Sequence, residues 1–472
     1  MTPAEDAGVS HATHAGYDLA IVGSGGAAFS AAIAATDLGM RVVMIERGTL
    51  GGTCVNVGCI PSKSLLAAAE SRRRAADSRF PGISTSAGAV DVAALMAGKA
   101  EIVDGLRLNK YTNLAAEYGI ELVKGSARFV EGPALEVGAR RIEASHYLVA
   151  TGAQPHIPEI NGLTESGYLT STTAMELASL PSSMIVLGGG FVAMEQAQLF
   201  ADLGCQVTVL VRSALARSEE PEIAVAALKA MRADGIVVHE RIQVQAVHRD
   251  AAGIVVQASG QMFRAEHLLV ATGRRPYTDD LDLMTVGVAT GERGEVLVGS
   301  NLQTTNPRVW GAGDAIGHPQ FVYVAARHGA LVVENAFENA GHQVDYQSLP
   351  RITFTTPAIA SAGLTEAQAR EQGLDVDSRV LGLEHVPRAI VSRDTRGLVK
   401  LVAERESGRV VGVHLLATGA GDAILAAVYA IDAKLTVAQL ATSWNPYLTI
   451  GEAIHLTAQS FTRDPAKLSC CA

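Results

Sequence analysis

The chain has 472 residues, 48% hydrophobic and 18% charged, too long for one domain and apolar enough for several buried cores. Its net charge of −10 at pH 7 argues against nucleic acid or an anionic membrane surface as a partner. No stretch is long and apolar enough to span a bilayer, the opening fifteen residues lack an apolar signal core, and five cysteines are too few for a secreted disulfide scaffold, so a cytoplasmic setting is expected.

Residues 1–15 read as a flexible tail. Tyr17 to Val22 is a short apolar run of the kind found in a buried parallel strand. It leads into Gly23-Ser24-Gly25-Gly26-Ala27-Ala28, a G-x-G-x-x-A turn, then an alanine-rich helical stretch from Ala27 to Leu38. A second strand from Arg41 to Ile45 ends at Glu46. Strand, glycine turn, helix, strand and terminal acid make a dinucleotide-binding unit. Gly23, Gly25 and Ala28 would let a pyrophosphate approach the helix N-terminus, and Glu46 would accept hydrogen bonds from ribose hydroxyls. This first site suits FAD.

Two cysteines follow, Cys54 and Cys59, in Gly52-Thr53-Cys54-Val55-Asn56-Val57-Gly58-Cys59-Ile60-Pro61-Ser62-Lys63. In a reducing compartment, paired cysteines point to catalysis or metal more often than to stapling. A helix is expected through Ser62 to Glu70, and Arg72-Arg73-Arg74 beyond it reads as a solvated helix face.

The dinucleotide pattern recurs further along. Ser183 to Leu187 runs into Gly188-Gly189-Gly190-Phe191-Val192-Ala193, a helix extends through Ala201, and a strand from Gln206 to Leu210 follows. This strand ends at Arg212 and not at an acid, and Arg217 lies close behind. Arginine pairs with a 2′-phosphate, so the second site suits NADPH. Cys205, before that strand, reads as a small buried hydrophobe. Two further apolar strands end in the same Ala-Thr-Gly turn, at Thr151-Gly152 and Thr272-Gly273. A third strand leads to Gly313-Asp314, where Asp314 is placed for flavin ribityl hydroxyls.

After residue 350 the pattern changes to antiparallel strands at 353–356, 399–404 and 410–416, with helices at 420–433 and 451–460. The fold class expected is α/β: two Rossmann-like dinucleotide-binding domains plus a C-terminal α+β domain. The expected boundaries are 16–153 with 275–348 for FAD, 154–274 for NADPH, and 349–472 for the last domain. The chain closes on Lys467-Leu468-Ser469-Cys470-Cys471-Ala472. Adjacent cysteines close a disulfide only through a strained ring, whereas two thiols side by side suit a soft metal ion.

Together these residues resemble the flavin disulfide reductases, the group of glutathione reductase, dihydrolipoyl dehydrogenase and mercuric reductase, from about Tyr17 to the end. The Gly51-to-Lys63 motif carries the wider resemblance. The ending Leu468-Ser469-Cys470-Cys471, together with Pro319 to Val324 and Val386 to Ala389, is similar to the mercuric reductases alone. Many of those begin with a small metal-carrying domain, and the expectation here is a core form without one. Where other members place an acid/base histidine, this sequence has Tyr447, while Glu452 matches the group's acid.

The resemblance implies a homodimer, its last domain being the dimerisation domain, in which each site joins the front cysteines of one subunit to the tail of the other. It implies that Cys59 is the thiolate against the flavin, that Cys54 faces substrate, and that Lys63 pairs with Glu195 near the reacting ring. Phe191 would gate the nicotinamide. Gly26, Gly52, Thr53, Ala127, Thr151, Gly152 and Val322 would join the FAD contacts. Gly188, Gly190, Glu195 and Gly273 would join those to NADPH. Hg(II), the implied substrate, would pass from Cys470 and Cys471 to Cys54 and Cys59, arriving on small thiols or from mercury transport or carrier proteins. The alternatives are an ordinary disulfide reductase, including the large thioredoxin reductases with their C-terminal redox pair, and a protein that only sequesters metal.

Overall fold

The structure, a computed structural model, describes residues 16–317 and 319–464. The chain divides into two compact units. Among the described residues, the first gathers those of 16–56, 103–154 and 275–344; the second gathers those of 57–102, 155–274 and 345–464.

The first unit is built on a five-stranded parallel sheet in the order Val309–Gly311, Ala144–Val149, Tyr17–Val22, Val42–Glu46, Glu121–Lys124. Leu19, Ile21, Met44 and Leu148 are fully buried, as expected for strands covered on both faces. The helices Gly26–Asp37 and Val322–Phe337 pack together on this sheet. Their contact is close because Gly329 has no side chain; a Cβ there would sit 2.2 Å from the Ala27 carbonyl oxygen. The chain leaves Tyr17–Val22 toward one side and later returns to the other, so the ends of these strands form a switch point where ligands bind in such sheets.

The second unit repeats the parallel sheet, in the order Val237–Glu240, Gln206–Val211, Ser183–Leu187, His267–Val270, Leu169–Thr170. The same unit contains a five-stranded antiparallel sheet, Pro350–Thr353, Ala358–Gly363, Val410–Ala417, Leu398–Glu404, Val376–Gly382, with the helices Ala420–Asp432 and Glu452–Gln459. The first of these strands was expected at 353–356; it ends at Thr353, ahead of Pro357, which has no N–H to extend a ladder. The fold is therefore α/β with two dinucleotide-binding sheets and a C-terminal α+β domain.

The two glycine turns obey the same constraint. A Cβ on Gly23 would lie 2.3 Å from the Ala150 oxygen, and one on Gly188 would lie 2.2 Å from the Ala271 oxygen. Both glycines have positive φ, +110° and +134°. Each Ala-Thr-Gly turn thus presses against the first glycine of its motif, and no residue with a side chain fits there.

Arg72-Arg73-Arg74 is not a solvated face. The helix Cys59–Ala76 lies beside the helix Phe191–Leu203, and Arg72 and Arg73 are half-buried against it; Arg74 alone points outward, paired with Glu70. A sequence window shows three like charges but not the Asp202 carbonyl that meets Arg72 or the buried carboxylates of Asp202 and Asp234 that face Arg73.

Candidate active site

In the first unit, a cleft opens at the ends of the central strands, lined by Gly23, Glu46, Arg47, Ala127, Thr151 and Tyr277 among others. Glu46 ends its strand with one bond to each oxygen. Ser24 Oγ donates to Oε2 at 2.5 Å, and the Gly48 N–H donates to Oε1 at 2.6 Å. A carboxylate accepts about four hydrogen bonds, so capacity remains for two ribose hydroxyls. Thr151 Oγ1 is buried without a protein partner, and it lines this cleft. An orphaned hydroxyl, a half-used carboxylate and a glycine-rich turn together fit a dinucleotide such as FAD.

The remaining first-unit residues surround that turn. Ala28 is fully buried and Ala127 is 6% exposed. The Gly152 carbonyl accepts the Tyr277 N–H at 2.9 Å. A Cβ on Gly26 would meet Val322 Cγ2 at 3.2 Å, so the glycine admits the start of the later helix. Asp314 is half-buried in the short turn Gly313–Ile316, whose Gly313 N–H donates to His328 Nδ1 at 3.2 Å. Thr53 and Cys54 are half-buried in the helical turn Gly52–Asn56. A Cβ on Gly52 would lie 2.6 Å from Gly25 Cα, which seats this turn directly on the first glycine turn. Asn56 secures it by donating to the Leu50 and Gly52 carbonyls, and Arg107 donates to Asn56.

In the second unit, Cys59 is the first residue of its helix and is half-buried. Free N–H groups and partial positive charge at that end favour a thiolate. Lys63 follows four residues later, on the same helical face. Its Nζ lies 2.7 Å from Glu195 Oε2 and 4.7 Å from the centre of the Phe354 ring. Glu195 is 4% exposed, and its other oxygen accepts the Phe354 N–H at 3.0 Å. Both oxygens of Glu195 are therefore held within the protein.

Phe191 stands at the start of its helix, directly after Gly190, and is 39% exposed. Arg212 and Arg217 are exposed on the loop after Gln206–Val211, which is tied to the glycine turn by the Ala216 N–H donating to the Gly189 oxygen at 2.8 Å. Gly273 is exposed in a turn whose oxygen accepts the His156 N–H. These residues fit a dinucleotide with an added phosphate.

Glu452 is 7% exposed, and burial holds its carboxyl above the usual range. It accepts the Leu448 N–H at 3.3 Å, anchoring a loop on which Tyr447 is 48% exposed. Cys205 is buried, and burial pushes its thiol up to about 12, so it stays protonated. Cys470 and Cys471 lie outside the described residues. Among the described residues no group of three or more His, Cys, Asp or Glu side chains could hold a metal ion, and no helix is long and apolar enough to cross a membrane.

Ser24, Arg47, Tyr277, His328 and Phe354 escaped the sequence reading. Ser24 had a signal, its place inside the glycine turn. Arg47 also had one, standing next to Glu46; its guanidinium stacks 3.7 Å from the centre of the Tyr277 ring.

The Pyridine nucleotide-disulphide oxidoreductase family matches residues 17–329, and its dimerisation domain matches residues 349–458. FAD and NADPH are the cofactors of that family. A mercuric reductase of Streptomyces lividans is 59% identical, covering 97% of this chain and 99% of its own. A mercuric reductase of Lysinibacillus sphaericus is 46% identical over 97% of this chain and 84% of its own. Among solved structures, the HOCl-induced flavoprotein disulfide reductase RclA of Escherichia coli is 30% identical with a TM-score of 0.85, covering 95% of this chain and all of its own. The chain belongs to the pyridine nucleotide-disulphide oxidoreductases, and within them to the mercuric reductases.

Proposed function

We propose that the chain reduces thiol-bound Hg(II) to Hg(0) with two electrons from NADPH, working as a homodimer in the cytoplasm. The observation that carries this reading is the helix that opens on Cys59 and holds Lys63 against buried Glu195. That arrangement keeps a thiolate and a fixed positive charge on one face. The closing Cys-Cys pair, and Tyr447 in place of an acid/base histidine, turn the reading from disulfides toward a soft metal.

FAD, when bound, supplies two-electron transfer between the nicotinamide and the cysteine pair. Glu46, Thr151, Gly152 and Asp314 would hold it, with the turn of Gly23, Gly25 and Gly26 against its phosphates. Gly188, Gly190 and Gly273 would seat NADPH, Arg212 and Arg217 would bind its 2′-phosphate, and Phe191 would cover the nicotinamide. Lys63 would stabilise negative charge developing beside it.

Substrate handling is ligand exchange among thiolates. Cys470 and Cys471 of the partner subunit take Hg(II) from small thiols or from a carrier protein. Cys54 and Cys59 displace them in turn, each new S–Hg bond replacing one broken, in a step similar in form to thiol–disulfide exchange. Glu452 fixes the loop that brings Tyr447 toward the metal. In balance, NADPH and Hg(II) yield NADP⁺, H⁺ and Hg(0), which thiolates hold poorly.

The test follows NADPH consumption by absorbance with Hg(II) in excess thiol, against oxidised glutathione and lipoamide. Turnover with Hg(II) alone is expected; brisk turnover of either disulfide without Hg(II)-dependent turnover would overturn the reading.

A further inference from the structure

Besides their apolar packing, the helix of Cys59 and the helix of Phe191 are joined by polar side chains at two places. Near their start, Lys63 meets Glu195 at 2.7 Å. Further along, Arg72 Nη1 donates to the Asp202 carbonyl at 2.9 Å, and Arg73 Nε lies 3.7 Å from Asp202 Oδ1. The paired positions advance together along both chains, so the helices run parallel. At about 1.5 Å per residue the two attachments are about 10–15 Å apart.

The second attachment is the more buried. The Asp202 and Asp234 side chains are each 5% exposed. Arg73 Nη2 reaches Asp234 Oδ1 at 2.5 Å, where Arg396 Nη1 also arrives at 2.7 Å. Gln198 Nε2 donates to Asp202 Oδ1 at 2.9 Å. Arg72 also lies against Gly204, where a Cβ would stand in ordinary contact with Nη2 at 3.4 Å. Burial lifts the Asp202 carboxyl to about 6, with Arg73 opposing that rise. Sliding the Cys59 helix by one residue would withdraw Arg73 from both carboxylates; Asp234 would keep Arg396, but buried Asp202 would lose its cation, so the pairing resists slippage.

Leu65, Leu66 and Ala69 share one apolar core with Ala193, Ala197 and Phe200, and the two polar attachments add a register to that packing. We infer that Arg73 and Asp202 are positioning residues that lock the Cys59 helix in register with the Phe191 helix, and so hold Cys59 and Lys63 in their working places. Neither Arg73 nor Asp202 is among the residues assigned above to substrate or cofactor. The inference rests on the proposed redox role of Cys59.

The experiment uses the FAD-loaded enzyme. Cys59 is trapped with iodoacetamide before and after NADPH reduction, across a pH series, and peptide mass spectrometry separates it from Cys54. Arg73→Met and Asp202→Asn should each slow Cys59 trapping and shift its pH midpoint, Arg73→Met by about tenfold in rate, since a misplacement of about an ångström can cost a hundredfold. Both should lower kcat for Hg(II) more than they raise KM. Arg73→Lys should restore part of the effect by keeping the cation, and Arg74→Met, which removes an exposed ion pair with Glu70, should change nothing.

Normal trapping and kcat in both Arg73→Met and Asp202→Asn, with only a lower melting temperature, would overturn the inference. If Arg73→Met does not fold, Asp202→Asn decides it, because asparagine keeps the shape and the Gln198 bond. If wild-type Cys59 is trapped no faster after NADPH than before, the redox role of Cys59 fails, whatever Arg73 does.

Discussion

Lys63 and Glu195 meet at 2.7 Å between two helices, one opening on a cysteine and the other on a nucleotide-type glycine turn. The carboxylate is almost fully buried, while the Lys63 side chain is 34% exposed. Lys63→Met should therefore destabilise the protein by about 2–3 kcal/mol, below the full cost of a broken buried pair because solvent still reaches the lysine side. The double change Lys63→Met with Glu195→Gln should recover most of that stability, since no charge is then stranded. Urea melts check the stability, and stopped-flow reduction by NADPH should show both variants slow. Fast reduction in the double variant would show that the charge of Lys63 is dispensable.

Ser24 joins three parts of the first glycine turn, donating to Glu46 and accepting the Gly51 N–H at 3.1 Å. Ser24→Ala leaves that buried N–H without a partner and loosens Glu46. The loss of about 1–2 kcal/mol corresponds to roughly a tenfold rise in the FAD dissociation constant. Flavin fluorescence on dilution of the yellow holoenzyme measures it directly. Thr151→Val should act in the same direction if its orphaned hydroxyl faces the cofactor.

Arg212 lies exposed on the loop tied to the second glycine turn. Arg212→Glu removes an attraction for the 2′-phosphate and adds a repulsion, so KM for NADPH should rise while that for NADH changes little. Steady-state kinetics with both nucleotides decide it. Equal use of the two by the wild-type enzyme would remove the basis for the assignment.

Two buried histidines set an acid limit on stability. Burial depresses His328 to about 4 and His414 to about 3, from 6.5. The unfolded chain takes up both protons near pH 6.5, while the folded chain refuses them until pH is much lower, so their contribution falls away as pH drops from 6.5 toward about 4. Asp202 works in the opposite sense: raised from 3.8 to about 6, it adds stability as pH falls through that interval. Two groups outweigh one, so melting temperature should decline below pH 6.5. His328→Gln should make the decline shallower and Asp202→Asn should make it steeper. Melts across the pH series test each slope separately.

Changing Cys470 and Cys471 together to alanine should leave reduction by NADPH intact. It should cut Hg(II) turnover sharply when the metal arrives on bulky thiols, and less when it arrives with halides. Heterodimers that pair a tail-less subunit with one lacking Cys54 and Cys59 should keep about one working site in two, as a shared two-fold site requires. Inactive heterodimers would rule out delivery across the interface.

The sequence alone determined what depends on local backbone. Gly23, Gly188 and the two Ala-Thr-Gly turns could be read directly because positive φ and close approach admit few residues, and an apolar run before such a turn is a buried strand. Glu46 followed because it ends the strand about twenty residues beyond the first turn, and Cys59 from its pairing with Cys54 in the Gly51-to-Lys63 motif. Apart from Lys63 with Glu195, which the family resemblance implied, what needed a partner remote in the chain was not readable. The Phe354 N–H reaches Glu195 from 159 residues away, and Arg73 reaches Asp234 from 161. Nothing in a window around Arg72-Arg73-Arg74 distinguishes three solvated cations from two half-buried ones and a third outside. That distinction arose only when folding laid the helix of Phe191 alongside and buried two carboxylates. A charge taken out of water requires its counter-charge within a few ångströms, and only the tertiary structure brings the two together.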